Sequence, residues 1–164
     1  MSLPNEYHFI THWRIKSSTA EVYEILSDPL RYSEWWRGVY LRTNELEAGD
    51  EDGINQIINL EMRGWLPYTL RWQLKSTELR KPHGFTAESS GDFIGRGIWT
   101  FGQDGPWADI AFDWKIRAEK AFLRHFSWLL KPLFIANHNW VMNKWEESLK
   151  LELAQRRSQT TQVV

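Results

Sequence analysis

The chain has 164 residues, a formal net charge of -1 and no cysteine, with 42% hydrophobic and 25% charged residues. This length suits one folded domain with a core of its own. The charge leaves no basic surplus to neutralise a phosphate backbone, so we expect no nucleic-acid partner. The lack of cysteine excludes disulfides, thiolate nucleophiles and cysteine-bound metals.

The N-terminal segment MSLPNEYHF lacks the basic and apolar pattern of a signal peptide. No stretch approaches the roughly 18 apolar residues of a membrane span. We therefore expect a cytoplasmic protein that is not integral to a membrane. The unusual feature is the aromatic content of 11 Trp, 8 Phe and 5 Tyr. Such side chains fill a core, line a pocket or form an adhesive surface.

The first part of the chain predicts a strand followed by two short helices. Apolar and polar residues alternate over Tyr7–Lys16, as in a half-buried strand. Ser18 and Glu21 have the spacing of a capping box, which predicts a helix start. Asp28 and Pro29 predict a second start, with an end near Trp35-Trp36-Arg37-Gly38.

The middle of the chain predicts six strands separated by turn residues, as in consecutive antiparallel hairpins. Their ranges are Val39–Leu46, Ile54–Met62, Leu66–Leu74, Phe85–Ser90, Phe93–Gly102 and Ala108–Arg117. The third and the last of these predicted strands alternate apolar and polar residues most regularly. Each has one apolar face, which must pack against another element of the fold.

The rest of the chain, Glu119 to about Arg157, predicts a long helix. An apolar stripe of period 3.6 is expected to face the sheet. It comprises Phe126, Leu130, Leu133, Phe134, Asn137, Val141, Trp145, Ser148 and Leu149. Pro132 is expected to kink the helix or to mark the start of its main segment. The polar tail Ser158–Val164 is expected to be disordered, which leaves residues 1–157 as a single domain.

Five segments carry a resemblance to a known family: SDPLRYSEWW (27–36), GWLPYTLRW (64–72), GDFIGRGIWTF (91–101), DIAFDWKIRAEK (109–120) and PLFIANHNWVM (132–142). In these the chain resembles the START-like (SRPBCC) superfamily, and within it the polyketide cyclase/dehydrase and lipid-transport group. The resemblance extends over roughly Tyr7 to Arg157. It implies an α+β helix-grip fold, in which a curved seven-stranded antiparallel sheet wraps around the C-terminal helix over a cavity. Members bind lipids, sterols, hormones, quinones or polyketides, and a minority are enzymes.

The chain offers no metal, nucleotide or hydrolase motif. His8 and His12 lie on a strand, where four residues span about 13 Å, too far for shared coordination. The glycines from Gly91 to Gly97 do not have the spacing of a phosphate loop. No G-x-S-x-G elbow is present. We therefore expect no metal and no cofactor.

Aromatic residues on the strands are the first candidates for ligand binding. Tyr68, Trp72, Trp99 and Trp114 each belong either to a filled core or to a pocket wall. The adjacent Trp35 and Trp36 are expected on a loop. They either plug the end of the core or guard an entrance, and the resemblance favours the entrance.

The long helix supplies the remaining candidates. Phe134, Asn137 and Val141 are expected to face the sheet. Asn137 makes either a structural hydrogen bond or one that orients a ligand. His138 lies about 100° further around the helix, at the cavity rim or on the surface.

Three functions follow, in order of preference. The first is binding of a hydrophobic or aromatic small molecule, such as a lipid, quinone or polyketide-like compound. The second is an enzyme of the cyclase or dehydratase type, favoured if two polar groups converge within hydrogen-bond reach. The third is a protein-interaction module, favoured by a flat exposed Trp patch. The sequence does not predict an oligomeric state.

Overall fold

The computed structural model describes residues 5–162, and for residues 122 and 127 it describes the backbone alone. The elements in chain order are β1 (Glu6–Lys16), α1 (Thr19–Leu26), a 3-10 turn (Pro29–Arg31), α2 (Tyr32–Trp35), β2 (Tyr40–Glu47), β3 (Ile57–Met62), β4 (Leu70–Arg80), β5 (Gly84–Gly91), β6 (Phe93–Asp104), β7 (Trp107–Ala118), α3 (Ala121–His125) and α4 (Ser127–Gln162).

The seven strands form one antiparallel sheet in the order β1-β7-β6-β5-β4-β3-β2. The first strand therefore pairs with the last, from Glu6 opposite Arg117 to Lys16 opposite Trp107. The predicted seven-stranded sheet with two short helices and a long C-terminal helix is confirmed.

The sheet packs its apolar face against α4, as the alternation predicts. Ile110 and Phe112 of β7 and Trp72 of β4 are buried. At the centre of this layer Trp145 of α4 is completely buried. Its ring centroid lies 4.0 Å from that of Trp13 on β1. A large aromatic side chain in this position anchors the helix to the sheet.

The start of α1 and the end of α4 are tied together by capping and charge contacts. The predicted capping box is present: Ser18 Oγ accepts from the Glu21 amide, and Glu21 accepts from the Ser18 amide. Near the end of α4, Arg157 Nε donates to Glu21 Oε1 at 2.9 Å. This guanidinium, together with the hydrogen bonds at the cap, lowers the pKa of Glu21 to about 2.

Several predicted boundaries are wrong, among them that of the strand expected from Ile54, which begins at Ile57. The strand expected from Leu66 begins only at Leu70, and it continues to Arg80. Apolar and polar residues alternate from Leu66 to Thr69, but these residues form a loop. Pro67 has no amide hydrogen to donate to a neighbouring strand. The long helix runs through Pro132 and ends at Gln162, so residues 158–162 are helical. Residues 163 and 164 of the predicted tail lie outside the described residues.

Part of the predicted helix stripe does not face the sheet. Phe126 and Leu133 are 54% and 45% exposed. The buried side of α4 instead runs through Phe134, Val141 and Trp145. Leu133 precedes Phe134 by one residue, a rotation of about 100° that carries its side chain toward solvent.

Candidate ligand-binding site

A small space of about 80 Å³ remains between the concave face of the sheet and α4. Ten aromatic side chains contribute to its walls: Tyr32, Trp36, Tyr40, Trp72, Phe85, Phe93, Trp99, Phe112, Trp114 and Phe134. The other lining residues are Leu60, Met62, Leu70, Leu74, Ala87, Ser89, Gly97, Asn137, His138, Val141 and Met142. Apolar and aromatic walls with few polar groups are typical of small-molecule sites.

The volume is below that of a drug-sized site, which is about 300–1,000 Å³. A cavity of about 150 Å³ holds benzene, so a ring-shaped ligand requires some wall side chains to move. Met62 and Met142 both line the space. Their unbranched thioether chains adopt other rotamers at low cost, so they are suited to such movement.

Eight of the ten predicted site residues line this space. They are Trp36, Trp72, Trp99, Trp114, Phe134, Asn137, His138 and Val141. Trp35 and Tyr68 do not line it. The strand and helix periodicities therefore bring most of the candidates together.

Trp35 and Trp36 are not on an exposed loop. Trp35 is the last residue of α2 and Trp36 caps that helix, and their side chains are only 7% and 3% exposed. The two rings stack with centroids 5.7 Å apart. Tyr32 packs edge-on against both, and its hydroxyl donates to the Leu26 carbonyl at 2.5 Å. Trp36 thus forms a wall of the space, and Trp35 supports it from behind.

Tyr68 lies in the loop between β3 and β4, not on a strand. Its side chain is half-buried and packs against the core. Burial raises the pKa of the Tyr68 hydroxyl to about 12. The residue therefore closes the core beside the space without lining it.

Asn137 fastens α4 to the same loop. Its Oδ1 accepts hydrogen bonds from the backbone amides of Trp65 at 3.0 Å and Leu66 at 3.4 Å. Gly64 leaves room for this amide group, because a Cβ at that position would overlap with the Asn137 oxygen. The structural hydrogen bond, one of the two predicted roles of Asn137, is therefore present.

His138 is buried, with 5% of its surface exposed, so neither the rim nor the surface describes its position. Its ring stacks on Phe9 of β1 at a centroid distance of 3.8 Å and on Trp114 of β7 at 5.4 Å. Desolvation lowers the pKa of His138 to about 4. The imidazole is consequently neutral near pH 7, with one ring nitrogen that donates and one that accepts.

The same arrangement of sheet and helix occurs in solved structures. The aromatase/cyclase Zhui from Streptomyces sp. R1128 superposes with a TM-score of 0.72 at 13% identity, over 92% of this chain and 95% of that one. A START superfamily protein from Mycobacterium smegmatis gives a TM-score of 0.66 at 13% identity, over 90% and 97%. The chain has a START-like, helix-grip fold. A conserved protein from Geobacillus kaustophilus gives 0.67 at 11% identity, over 91% and 96%.

No protein-family model matches the helix-grip chain, and no curated protein matches it in sequence. The likeness is therefore one of three-dimensional structure. It fixes the fold and leaves the chemistry of the site to the residues that line it.

Several buried side-chain polar atoms have no hydrogen-bond partner within the described part of the protein; Tyr7 Oη, Trp35 Nε1 and Trp145 Nε1 lie elsewhere in the core, and three others belong to residues that line this helix-grip site. The latter three are Trp36 Nε1, Ser89 Oγ and His138 Nε2. A buried polar group left unpaired costs about 1–3 kcal/mol, and native proteins usually satisfy such groups with water or ligand. Ser89 is not among the predicted site residues. Its signal is the period-two alternation that places it on the same face as Phe85 and Ala87.

The described residues contain no group of three His, Asp or Glu side chains placed to hold a metal ion.

Within residues 5–162, no helix is long and apolar enough to cross a membrane. Asp109 and Asp113 of β7 do not line the space: they pair with Arg14 and His8 of β1.

Proposed function

We propose that this protein binds an aromatic small molecule that carries polar substituents, in the space between the sheet and α4. The observation that carries the proposal is the set of three unpartnered polar atoms, on Trp36, Ser89 and His138, within otherwise aromatic walls. A filled structural core would gain stability from apolar side chains at these positions. A ligand with hydrogen-bonding groups would supply the partners that these three atoms lack.

The three atoms restrict the chemistry of the ligand. The Trp36 indole N–H only donates, so it requires an acceptor such as a carbonyl or hydroxyl oxygen. Ser89 and the neutral His138 each pair with a donor or an acceptor. Flat rings also stack well on aromatic walls. A quinone or a hydroxylated polyketide-like ring therefore fits better than a saturated lipid chain, which has no polar group to offer at mid-cavity.

The similar structures support the same class of ligand. Two of them are an aromatase/cyclase, Zhui, and a di-domain ARO/CYC of the steffimycin biosynthetic pathway. The latter superposes with a TM-score of 0.64 at 12% identity, over 94% of this chain and 53% of that one. At this identity the likeness extends to the fold alone, so the ligand class is a proposal for this chain.

A catalytic role is the second candidate, and His138 is the residue that favours it. Its neutral imidazole lines the space in which a ring system would bind, but a pKa of about 4 makes it a weak base near pH 7. Ser89 Oγ and His138 Nε2 both lack a partner, so they are not hydrogen-bonded to each other. The convergence of polar groups expected of a cyclase-type enzyme is thus missing for this pair, and we place binding first.

Asn137 contributes to this proposal only in part. Its oxygen is already used by the loop amides of Trp65 and Leu66. A ligand contact would therefore come from its amide nitrogen, which donates. Trp72, Trp99, Trp114, Phe134 and Val141 would supply the apolar surface that the ligand covers.

Titration with ring compounds tests the proposal. A flat hydroxyquinone and a saturated fatty acid are added separately to the wild type, Ser89→Ala and Ser76→Ala, and tryptophan fluorescence is followed. Ser76 is also a buried strand serine, but it does not line the space. We expect binding of the hydroxyquinone, weakened roughly fivefold or more by Ser89→Ala through loss of one hydrogen bond, and unchanged by Ser76→Ala. Equal affinities in all three proteins, or no binding of any ring compound, would contradict the proposal.

A further inference from the structure

The start of α4 and the residue before it, Phe126, expose an unusual concentration of large apolar side chains. Twelve large apolar residues are exposed in the described part of the chain, and five of them lie between residues 126 and 135. These five are Phe126, Trp128, Leu129, Leu133 and Ile135, with exposed fractions of 54%, 73%, 58%, 45% and 37%. Soluble proteins rarely leave a contiguous patch of this kind without a partner.

The outer face of the first turns of α4 is free of charged side chains. Between Trp128 and Ala136 the exposed positions are Trp128, Leu129, Pro132, Leu133, Ile135 and Ala136. The second half of the same helix is different, because its outer face carries Glu147, Lys150 and Arg157. The apolar surface is therefore confined to one end of the helix. We call residues 126–136 the apolar end.

A second element adds to this surface. Trp65, in the loop between β3 and β4, is 47% exposed. Its backbone amide is held by Asn137, one turn of helix after Leu133. The hydrogen bond keeps this second indole at the same end of the molecule as the apolar end of α4.

The charged side chains within the stretch that carries the apolar end are all basic. No Asp or Glu occurs from residue 120 to residue 145, while Lys120, Arg124, Lys131 and Lys144 all lie in that stretch. Three of these cations pair with acids outside the stretch: Lys120 with Asp92 at 3.4 Å, Arg124 with Glu119 at 3.7 Å and Lys144 with Glu147 at 2.8 Å. Lys131 lies over the Tyr7 ring and close to the Glu6 carbonyl, beside the apolar face.

We propose that the apolar end of α4, together with Trp65, docks on the surface of an anionic lipid bilayer. Exposed Trp, Phe and Leu on one face of a helix with Lys and Arg beside them are typical of segments that lie in the membrane interface. Indole rings in particular favour the headgroup level, where the ring is buried and the N–H meets polar groups. The ammonium group of Lys131, beside the apolar face, complements anionic headgroups.

This inference goes beyond ligand binding and does not depend on it. The opposite side of the same helical turns carries Phe134, Asn137 and His138, which line the internal space. A bilayer contact at this end would bring the internal space close to the hydrocarbon interior of the membrane, in which hydrophobic compounds dissolve. The docking itself requires only the exposed side chains.

Vesicle flotation tests the docking. The probes are vesicles of phosphatidylcholine alone and of phosphatidylcholine with about 30 mol% phosphatidylglycerol, which supplies the anionic headgroups. The double variant Trp128→Ser/Leu129→Ser removes the two most exposed apolar side chains of the apolar end. Leu151→Ser is the matched control, because Leu151 is 72% exposed on the same helix but outside that end. Both variants are checked for an unchanged thermal melt.

We expect the wild type and Leu151→Ser to float with the anionic vesicles, and less with phosphatidylcholine alone. The double variant should lose roughly tenfold or more in apparent affinity, since it removes the buried apolar area. Added salt should weaken the binding of the wild type to anionic vesicles, because salt screens the attraction between Lys or Arg side chains and the headgroups. Absence of wild-type flotation, equal flotation of the double variant, or a self-association that the double variant abolishes without vesicle binding would each overturn the proposal.

Discussion

The side-chain oxygen of Asn137 accepts a hydrogen bond from the backbone amide of Trp65 at 3.0 Å and so ties the long helix to the loop between β3 and β4. The contact joins residues 72 positions apart in the sequence. It fixes one wall residue of the internal space and holds Trp65 at the apolar end of α4. Removal of the Asn137 side-chain amide should therefore lower the free energy of unfolding, and this effect should exceed any effect on ligand binding.

Replacement of Asn137 by Leu should lower the free energy of unfolding by roughly 1–3 kcal/mol. The substitution leaves the part-buried amide of Trp65 without its acceptor, and an unpaired donor costs about that much. Urea unfolding of the variant beside the wild type measures the change. Asn139→Leu is the control, because Asn139 is exposed on the same helix, and it should change stability by less than about 0.5 kcal/mol. Unaltered stability of Asn137→Leu would show that the loop does not depend on this contact.

Gly64→Ala should disrupt the same contact from the other side. A Cβ at Gly64 would overlap with the Asn137 oxygen, so the amide would have to swing away from the loop. The two sites are then coupled: Gly64→Ala should destabilise the wild type by about 1–3 kcal/mol but cost much less in an Asn137→Ala background. Gly102→Ala serves as the control, since a methyl group at Gly102 would meet nothing within 4 Å. Additive effects in this double-mutant cycle would refute the coupling.

His138 should make stability depend on pH between 7 and 5. Burial lowers its pKa to about 4 in the folded protein, whereas an unfolded histidine titrates near 6.5. As the pH falls through this window, the unfolded chain binds a proton that the folded protein does not, so the folded state loses stability. The loss attributable to His138 should be on the order of 2 kcal/mol between pH 7 and pH 5.

The variant His138→Phe isolates this effect. A phenyl ring keeps an aromatic surface against Phe9 and removes the titrating group. Denaturant unfolding at pH 7 and pH 5 should show a smaller loss of stability in the variant than in the wild type. Identical losses in both proteins would mean that the folded protein takes up a proton on His138 as readily as the unfolded chain.

The fold could be predicted because its strands and helix have regular periods. The alternation of β1 and β7 indicated which sides face the helix, as the burial of Trp13 and Ile110 confirms. The same rule fails at Leu66–Thr69, where alternating residues form a loop. A period of two describes side-chain direction in an extended chain, but it does not report whether a neighbouring strand is there to pair with it.

The site could be predicted only in part. A curved sheet covers more of the circumference of the helix than a flat sheet does, so residues beyond the central apolar stripe of α4 are also buried. His138 lies about 100° from Asn137 on the helix, which suggested the rim. The edge strand β1 wraps around that side and places Phe9 against the imidazole. In the same way, Trp35 and Trp36 gain their burial from Tyr32 in the preceding turn, a contact that spacing alone does not disclose.

Native mass spectrometry of the protein purified from its own host tests the central claim most directly. If the three unpartnered polar atoms of Trp36, Ser89 and His138 meet a ligand, the native spectrum should contain a species heavier than the chain by the mass of one small molecule. That species should disappear under denaturing conditions, and the released compound should contain a ring with carbonyl or hydroxyl oxygens. A native spectrum with the mass of the chain alone, in protein that also fails to bind added ring compounds, would contradict the account and indicate a filled core.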